Sequence, residues 1–273
     1  MAYDLELQTA LDAARLAAKL VLDEYQRFQI IPDAPASIST EADRQAQETI
    51  LSHLRRAFPN DALCAEETTP TLANAARTGE RLWIVDPIDG TRGFARKNGE
   101  FSVMVAFVDH GRPAVGVVLE PAHGRLTYAA LGKGCWRQDG ADTAPTMCRV
   151  SSVTDLAKAS LVQSHSKNPA VPTPPVRSIQ PARVVETYSA GIKLALVARG
   201  DVDLYVNTYS AFHDWDACAG HILVTEAGGT ATGLRDEELR YGLPGAWQKT
   251  GLLASNGELH AAAVAAIPRD VLK

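Results

Sequence analysis

Near the N-terminus, Leu7, Leu11, Ala14, Ala18, Val21, Tyr25 and Phe28 recur at alternating steps of four and three. That spacing lines one face of a long amphipathic helix and predicts core packing along it, not a partner surface. Thr40 followed by Asp43 is a variant capping box opening a second helix, with Ile50, Leu54 and Phe58 turned inward. From Leu82 to Trp136 the pattern becomes strand-like. Phe101–Val108, Ala114–Leu119 and Arg125–Leu131 are separated by Asp-His-Gly-Arg-Pro and Pro-Ala-His-Gly, the pattern of an antiparallel meander. Five prolines, at 169, 172, 174, 175 and 181, crowd residues 168–181. They predict a loop between an N-terminal half, 1–167, and a C-terminal half, 182–273, which together form one catalytic unit. Beyond the loop, strand-like Leu204–Val206 and Leu252–Ala254 alternate with helical Asp216–Ala227 and Gly257–Ala266. No internal repeat or low-complexity tract is present.

Composition narrows the class. At 273 residues and 46% hydrophobic content, the chain can bury a substantial core. Its net charge of −5 offers no basic field for a nucleic-acid polymer, so an anionic substrate must be recruited by local cations. Cys64, Cys135, Cys148 and Cys218 are scattered, with no C-x-x-C pair, which argues against a zinc ribbon or a disulfide framework. The N-terminus lacks a basic region followed by an apolar core, and no run reaches membrane-spanning length. A reduced, cytoplasmic protein that makes no use of a membrane is expected.

The chemistry concentrates in Trp83-Ile-Val-Asp-Pro-Ile-Asp-Gly-Thr91. A buried strand, Leu82–Val85, delivers Asp86 at its end, and Pro87 shapes the turn without an amide hydrogen of its own. Asp89 points back to the same space, and the Ile88 carbonyl is a neutral oxygen ligand. An all-oxygen set suits a hard cation such as magnesium. Gly90 allows close backbone approach, and the amides of Gly90 and Thr91 can open a helix that favours a phosphate anion. Alone, this stretch is equally an acidic surface turn. Glu66-Glu67, about twenty residues earlier, reads alone as a solvated acidic turn, and Asp216 alone as a helix cap.

Together they form a pattern. Thr40-Glu-Ala-Asp43, Ala65-Glu-Glu67, Asp86-Pro-Ile-Asp-Gly-Thr91 and Trp215-Asp-Ala-Cys-Ala-Gly220 fall in the order of a known family. The chain resembles the inositol monophosphatase superfamily of magnesium-dependent, lithium-sensitive phosphomonoesterases, over roughly residues 3–266. The resemblance implies an α/β fold, an α+β layered sandwich of alternating helix pairs and sheets, and a homodimer. It places Glu66, Asp86 and the Ile88 carbonyl on a first Mg2+, and Asp86, Asp89 and Asp216 on a second. Asp43 and Thr91 orient and deprotonate the attacking water, although Asp43 also has a helix-start explanation. Four carboxylates ionised together need counter-ions. Two magnesium ions supply them, and the substrate phosphate can recruit a third.

Substrate choice rests on fewer residues. Inositol monophosphatases carry a glutamate seven residues before the Trp-Asp aspartate; here Tyr209 stands there, an aromatic that can stack on a base. Asn98-Gly-Glu-Phe-Ser-Val103, Trp215-Asp-x-x-Ala-Gly-His221 and Ser189-Ala-Gly-Ile-Lys193 resemble the 3′(2′),5′-bisphosphate nucleotidase branch. Ser189, Lys193 and Tyr209 are therefore the candidate substrate contacts. Lys193 would meet a second phosphate, or else be an ordinary exposed helix lysine. Against that branch's K-x-D-x-S-P-V-T-x-A-D stretch, Asp33, Pro35, Ile38 and Ser39 are departures that bear on a third metal. The expected partner is a small phosphorylated metabolite. The alternatives are an inositol or other polyol phosphatase and a catalytically silent binding protein. Leu131-Gly-Lys-Gly-Cys-Trp136 lacks Walker spacing and reads as a strand-ending turn.

Overall fold

A computed structural model describes residues 2–272 apart from 36, 167, 169, 211 and 269. The periodic apolar face at the N-terminus forms helix α1 (Asp4–Arg27), and the capping box opens α2 (Glu41–Ala57). Their apolar faces cover one side of a seven-stranded sheet. The strands are β1 (Ala62–Ala65), β2 (Arg81–Asp89), β3 (Ser102–Asp109), β4 (Arg112–Glu120), β5 (Arg125–Ala130), β6 (Cys135–Asp139) and β7 (Thr146–Met147). Only β1 and β2 pair in parallel; the rest is the antiparallel meander that the sequence pattern predicts. Short helices α3 (Pro70–Ala73) and α4 (Thr91–Ala95) flank β2.

A second sheet, in the order β11-β12-β10-β8-β9, lies further along the chain. It comprises β8 (Ser160–Gln163), β9 (Arg183–Glu186), β10 (Leu204–Asn207), β11 (Thr230–Thr232) and β12 (Leu252–Ser255). Helix α5 (Pro174–Ile179) joins β8 to β9, α6 (Ala190–Ala198) follows β9, α7 (Asp214–Glu226) follows β10, and α8 (His260–Ala266) follows β12. One continuous core holds Ile84, Met104 and Val118 of the first sheet, Leu194 and Leu223 of α6 and α7, and Tyr205 and Leu252 of the second. A separate core backs the second sheet with Leu259 and Ala263. The layers therefore run helix pair, sheet, helix pair, sheet, helix pair, the last being α5 and α8, and the expected layered sandwich is found.

Two expectations change. The proline-rich stretch is not all loop, because Pro174 and Pro175 occupy the first turn of α5, where a missing amide hydrogen costs nothing. The boundary at 168–181 also falls inside the second sheet, since β8 precedes it and pairs in parallel with β9 and β10. A parallel neighbour needs a crossover connection, and 168–181 is part of one. The break between the sheets lies between β7 and β8. All four cysteines are buried and free, as their spacing suggests. No described helix is long and apolar enough to cross a membrane.

The central helix pair sits unusually close. A Cβ placed on Gly220 of α7 would overlap the Cβ and Cδ1 of Leu194 on α6. The first of these contacts cannot be relieved by rotating a side chain. Gly220→Ala should therefore lower folding stability by about 1–3 kcal/mol, the usual cost of overpacking. A thermal or urea melt checks this, and an unchanged midpoint would mean that α6 and α7 can separate freely.

Candidate active site

In a regular strand, residues 86 and 89 would face opposite sides of the sheet, because side chains alternate with a period of two. The register between β2 and β3 shifts between Asp86 and Asp89. Pro87, which lacks the ladder amide, sits within that irregularity. The bulge turns both carboxylates into one cavity of about 490 Å³. The strand itself continues to Asp89, so the acidic pair lies within the irregular end of β2 and not in a turn beyond Val85. Gly90 then leaves the strand with φ 85°, and a Cβ there would stand 2.6 Å from the Glu100 carbonyl oxygen. Only glycine fits that corner.

Glu66, Asp86, Ile88, Asp89, Gly90, Thr91 and Asp216 all line this cavity, although they come from distant parts of the sequence. One oxygen each from Asp86, Asp89 and Asp216 lies within 4.8 Å of the others. Parallel pairing of Ala65 with Val85 sets Glu66 beside Asp86. The buried side chain of Gln47 fixes the Glu66-Glu67 turn by accepting from Glu67 N at 2.8 Å and donating to Glu67 O at 2.6 Å.

Asp89 and Asp216 are each held through one oxygen, and Asp43 through both. Asp89 Oδ2 accepts from Gly191 N at 2.7 Å and from the Ser189 hydroxyl, both at the start of α6. Asp216 sits at the third position of α7, not at its cap, and its Oδ2 accepts from His213 N at 2.7 Å. Asp43 Oδ2 accepts from Thr40 N at 2.8 Å, while its Oδ1 receives the Thr91 hydroxyl at 3.1 Å. That hydroxyl has a second acceptor in the Ile88 carbonyl at 3.0 Å. Helix N-termini thus hold the acids from behind, where amide donors and the helix dipole favour negative charge. Asp86 differs: its Oδ1 is buried with no hydrogen-bond partner among the described residues. A buried carboxylate oxygen without a donor, close to the charges of Glu66, Asp89 and Asp216, fits a divalent cation.

Electrostatics agree. Burial, then the neighbouring charges of Glu66, Asp89 and Asp216, push the Asp86 carboxyl well above its usual range. Burial likewise raises Asp89 and Asp43, each eased by its hydrogen bonds. Glu66 is pushed up to about 8 by desolvation within the cleft and by the Asp216 and Asp43 charges. Its side chain is nevertheless accessible from the open cavity. Water there screens part of the effect.

Three candidate substrate residues take other places. Ser189 is fully buried and caps α6, holding Asp89. Lys193 is 1% exposed, so it is no surface lysine. Its Nζ donates to the Tyr188 carbonyl at 2.9 Å and lies 5.4 Å from the centre of the Tyr205 ring. Burial pulls its pKa down to about 8, opposed by the charges of Asp89 and Asp216. Lys193 thus lies beneath the cavity and not on its wall. Tyr209, half exposed, lines an adjoining cavity of about 740 Å³ together with His165, Arg177, Tyr188 and Arg92. Arg92 and Tyr188 line both spaces. The sequence reading overlooked these two residues and Gln47; for Arg92, adjacency to Thr91 was the available signal.

The family described as "Inositol monophosphatase family" matches residues 4–272. The Escherichia coli 3′(2′),5′-bisphosphate nucleotidase CysQ is 31% identical over 211 residues, covering 76% of this chain and 81% of that relative. A Mycobacterium tuberculosis histidinol-phosphatase is 34% identical over 266 residues, covering 95% and 96% respectively. Among solved structures, Thermotoga maritima IMPase superposes with a TM-score of 0.80 at 28% identity, covering 96% of each chain.

The raised carboxyls make metal-free stability depend on pH. Each group has a folded pKa above its ordinary value of 3.8 or 4.5, so it favours folding while protonated. That contribution is complete below about pH 4 and is lost as pH climbs through the raised values, Glu66 at about 8 among them. Chelator-treated protein should melt at a lower temperature at pH 8.5 than at pH 5, and magnesium should restore more at pH 8.5. Equal melting points in chelator would show that the acids are not destabilised by one another.

Proposed function

The chain belongs to the inositol monophosphatase family, a family of phosphatases, and from that premise we propose a magnesium-dependent phosphomonoesterase acting on a 3′(2′),5′-bisphosphate nucleotide. The observation that carries this reading is the meeting of two unlike cavities. One is acidic and sized for cations and a phosphate; the other is larger and lined by Tyr188, Tyr209, His165, Arg92 and Arg177. Aromatic faces beside arginines suit a nucleobase and a second anion. Motif resemblance to the nucleotidase branch at Ser189–Lys193 points the same way, as does the CysQ relative.

Glu66, Asp86, the Ile88 carbonyl, Asp89 and Asp216 are the residues to hold two Mg2+ ions. Bound there, the ions would supply Lewis-acid charge and a water of lowered pKa. The chain's own part is proton handling and alignment. While the Thr91 hydroxyl donates to Asp43, its lone pairs are free to accept a hydrogen bond from the attacking water. Burial raises the Asp43 pKa, which strengthens it as the final proton acceptor. Gly90 and Thr91 line the phosphate end of the cavity, where their backbone can approach the anion closely.

A second reading has its own support. Glu100 meets His165 Nε2 at 2.6 Å, and Glu186 lies 3.5 Å from Nδ1 of the same ring. Neither glutamate lines the second cavity, but both flank the His165 ring that does, and a histidinol-phosphatase is among the relatives.

A phosphate-release assay decides between them. With magnesium, kcat/KM for adenosine 3′,5′-bisphosphate should exceed that for histidinol phosphate and inositol 1-phosphate by roughly tenfold or more, about 1.4 kcal/mol of transition-state preference. Chelator should abolish turnover, and Asp89→Asn should do so in a folded protein. Millimolar lithium should inhibit, in uncompetitive form. A preference for histidinol phosphate would replace the nucleotide reading with the second one.

A further inference from the structure

Arg92 is the one cationic side chain among the described residues that line the acidic cavity. Five carboxylates share that lining, at Glu66, Glu67, Asp86, Asp89 and Asp216, yet Arg92 forms an ion pair with none of the described residues. An arginine that ignores so much nearby negative charge has been aimed elsewhere. Two contacts fix it. Nε donates to the Ala34 carbonyl at 3.1 Å, and the guanidinium carbon lies 5.0 Å from the centre of the Tyr188 ring. Tyr188 is itself anchored, by Lys193 Nζ on its carbonyl and by Arg96 at 5.8 Å from its ring centre. With Nε used and the plane set against an aromatic face, the two terminal amino groups remain as a fork. Such a fork suits an oxyanion held by paired hydrogen bonds.

Position gives the fork its meaning. Arg92 follows Thr91 directly and lines both the acidic cavity and the larger aromatic one. An anion bound there stands at the junction of the two cavities, where one substrate would span both. We propose that Arg92 is a specificity-determining residue that receives the phosphate that is not cleaved, and so selects bisphosphorylated over monophosphorylated substrates. The inference rests on the nucleotide reading above. It assigns to Arg92 the task that sequence pattern alone suggested for Lys193, whose ammonium is buried.

The test compares two substrates that differ only in the second phosphate, adenosine 3′,5′-bisphosphate and adenosine 3′-monophosphate. In Arg92→Ala the ratio of their kcat/KM values should fall roughly ten- to a hundredfold, chiefly through KM for the bisphosphate, as loss of a charge-assisted pair predicts. Arg92→Lys, which keeps the charge but not the fork, should recover only part of that ratio. Inhibition by adenosine 5′-monophosphate, which carries only the uncleaved phosphate, should weaken in parallel and needs no turnover. If wild type prefers the bisphosphate but Arg92→Ala slows both substrates equally, Arg92 serves the scissile phosphate or the fold, and the proposal is overturned while the nucleotide reading stands. If wild type shows no preference for the bisphosphate, the nucleotide reading fails first and the proposal falls with it.

Discussion

Mutual repulsion among carboxylates governs this molecule. Asp86, Asp89 and Asp216 bring oxygens within 4.8 Å of one another in a cleft where Asp86 and Asp89 are almost wholly buried. Such a cluster does not persist on its own, because each ionised member raises the cost of ionising the next. The surrounding structure answers by gripping one oxygen of several acids with amide donors at helix starts: α6 for Asp89, α7 for Asp216 and α2 for Asp43. One oxygen each from Asp86, Asp89 and Asp216 still meets the others, and Asp86 Oδ1 has no hydrogen-bond partner among the described residues. The arrangement is preorganised for divalent cations, with the strain of assembly distributed over several elements.

That demand explains the layering. The acids come from the ends of β1 and β2 and from the start of α7, which belong to different sheets' neighbourhoods. They meet only because α6 and α7 pack between the sheets. Gly220 lets that central pair close up, and Lys193 on α6 places a buried cation behind Asp89 and Asp216. A lysine there offsets negative charge without occupying the cavity. It also holds the Tyr188 carbonyl, so the charge balance of the acidic cavity and the wall of the larger aromatic one share one side chain.

Legibility in the sequence followed the range of the interaction. The α1 stripe, the Thr40–Asp43 box and the meander are local patterns, and they appear where expected. Asp86 and Asp89 were legible as a pair because Pro87 and Gly90 mark an irregular strand end. Ser189 and Lys193 were legible as important but not in their placement. Both look polar and available in a linear reading, and only the packing of α6 between the two sheets buries them. Tyr188 and Gln47 carry no local signal at all, since each acts through a contact with a segment at least twenty residues away. The sheet boundary was misplaced for a similar reason: parallel pairing of β8 with β9 spans the proline-rich stretch and is invisible to periodicity.

Raised by burial and by one another, these carboxyls should be partly protonated when no cation is bound and should give up protons to bind one. Calorimetric titration of chelator-stripped protein with magnesium at pH 7, in two buffers of different ionisation enthalpy, measures this directly. Proton release on binding, reduced in Glu66→Gln, is expected. Tight binding with no buffer dependence would contradict it, because the carboxylates would then be ionised before any cation arrived.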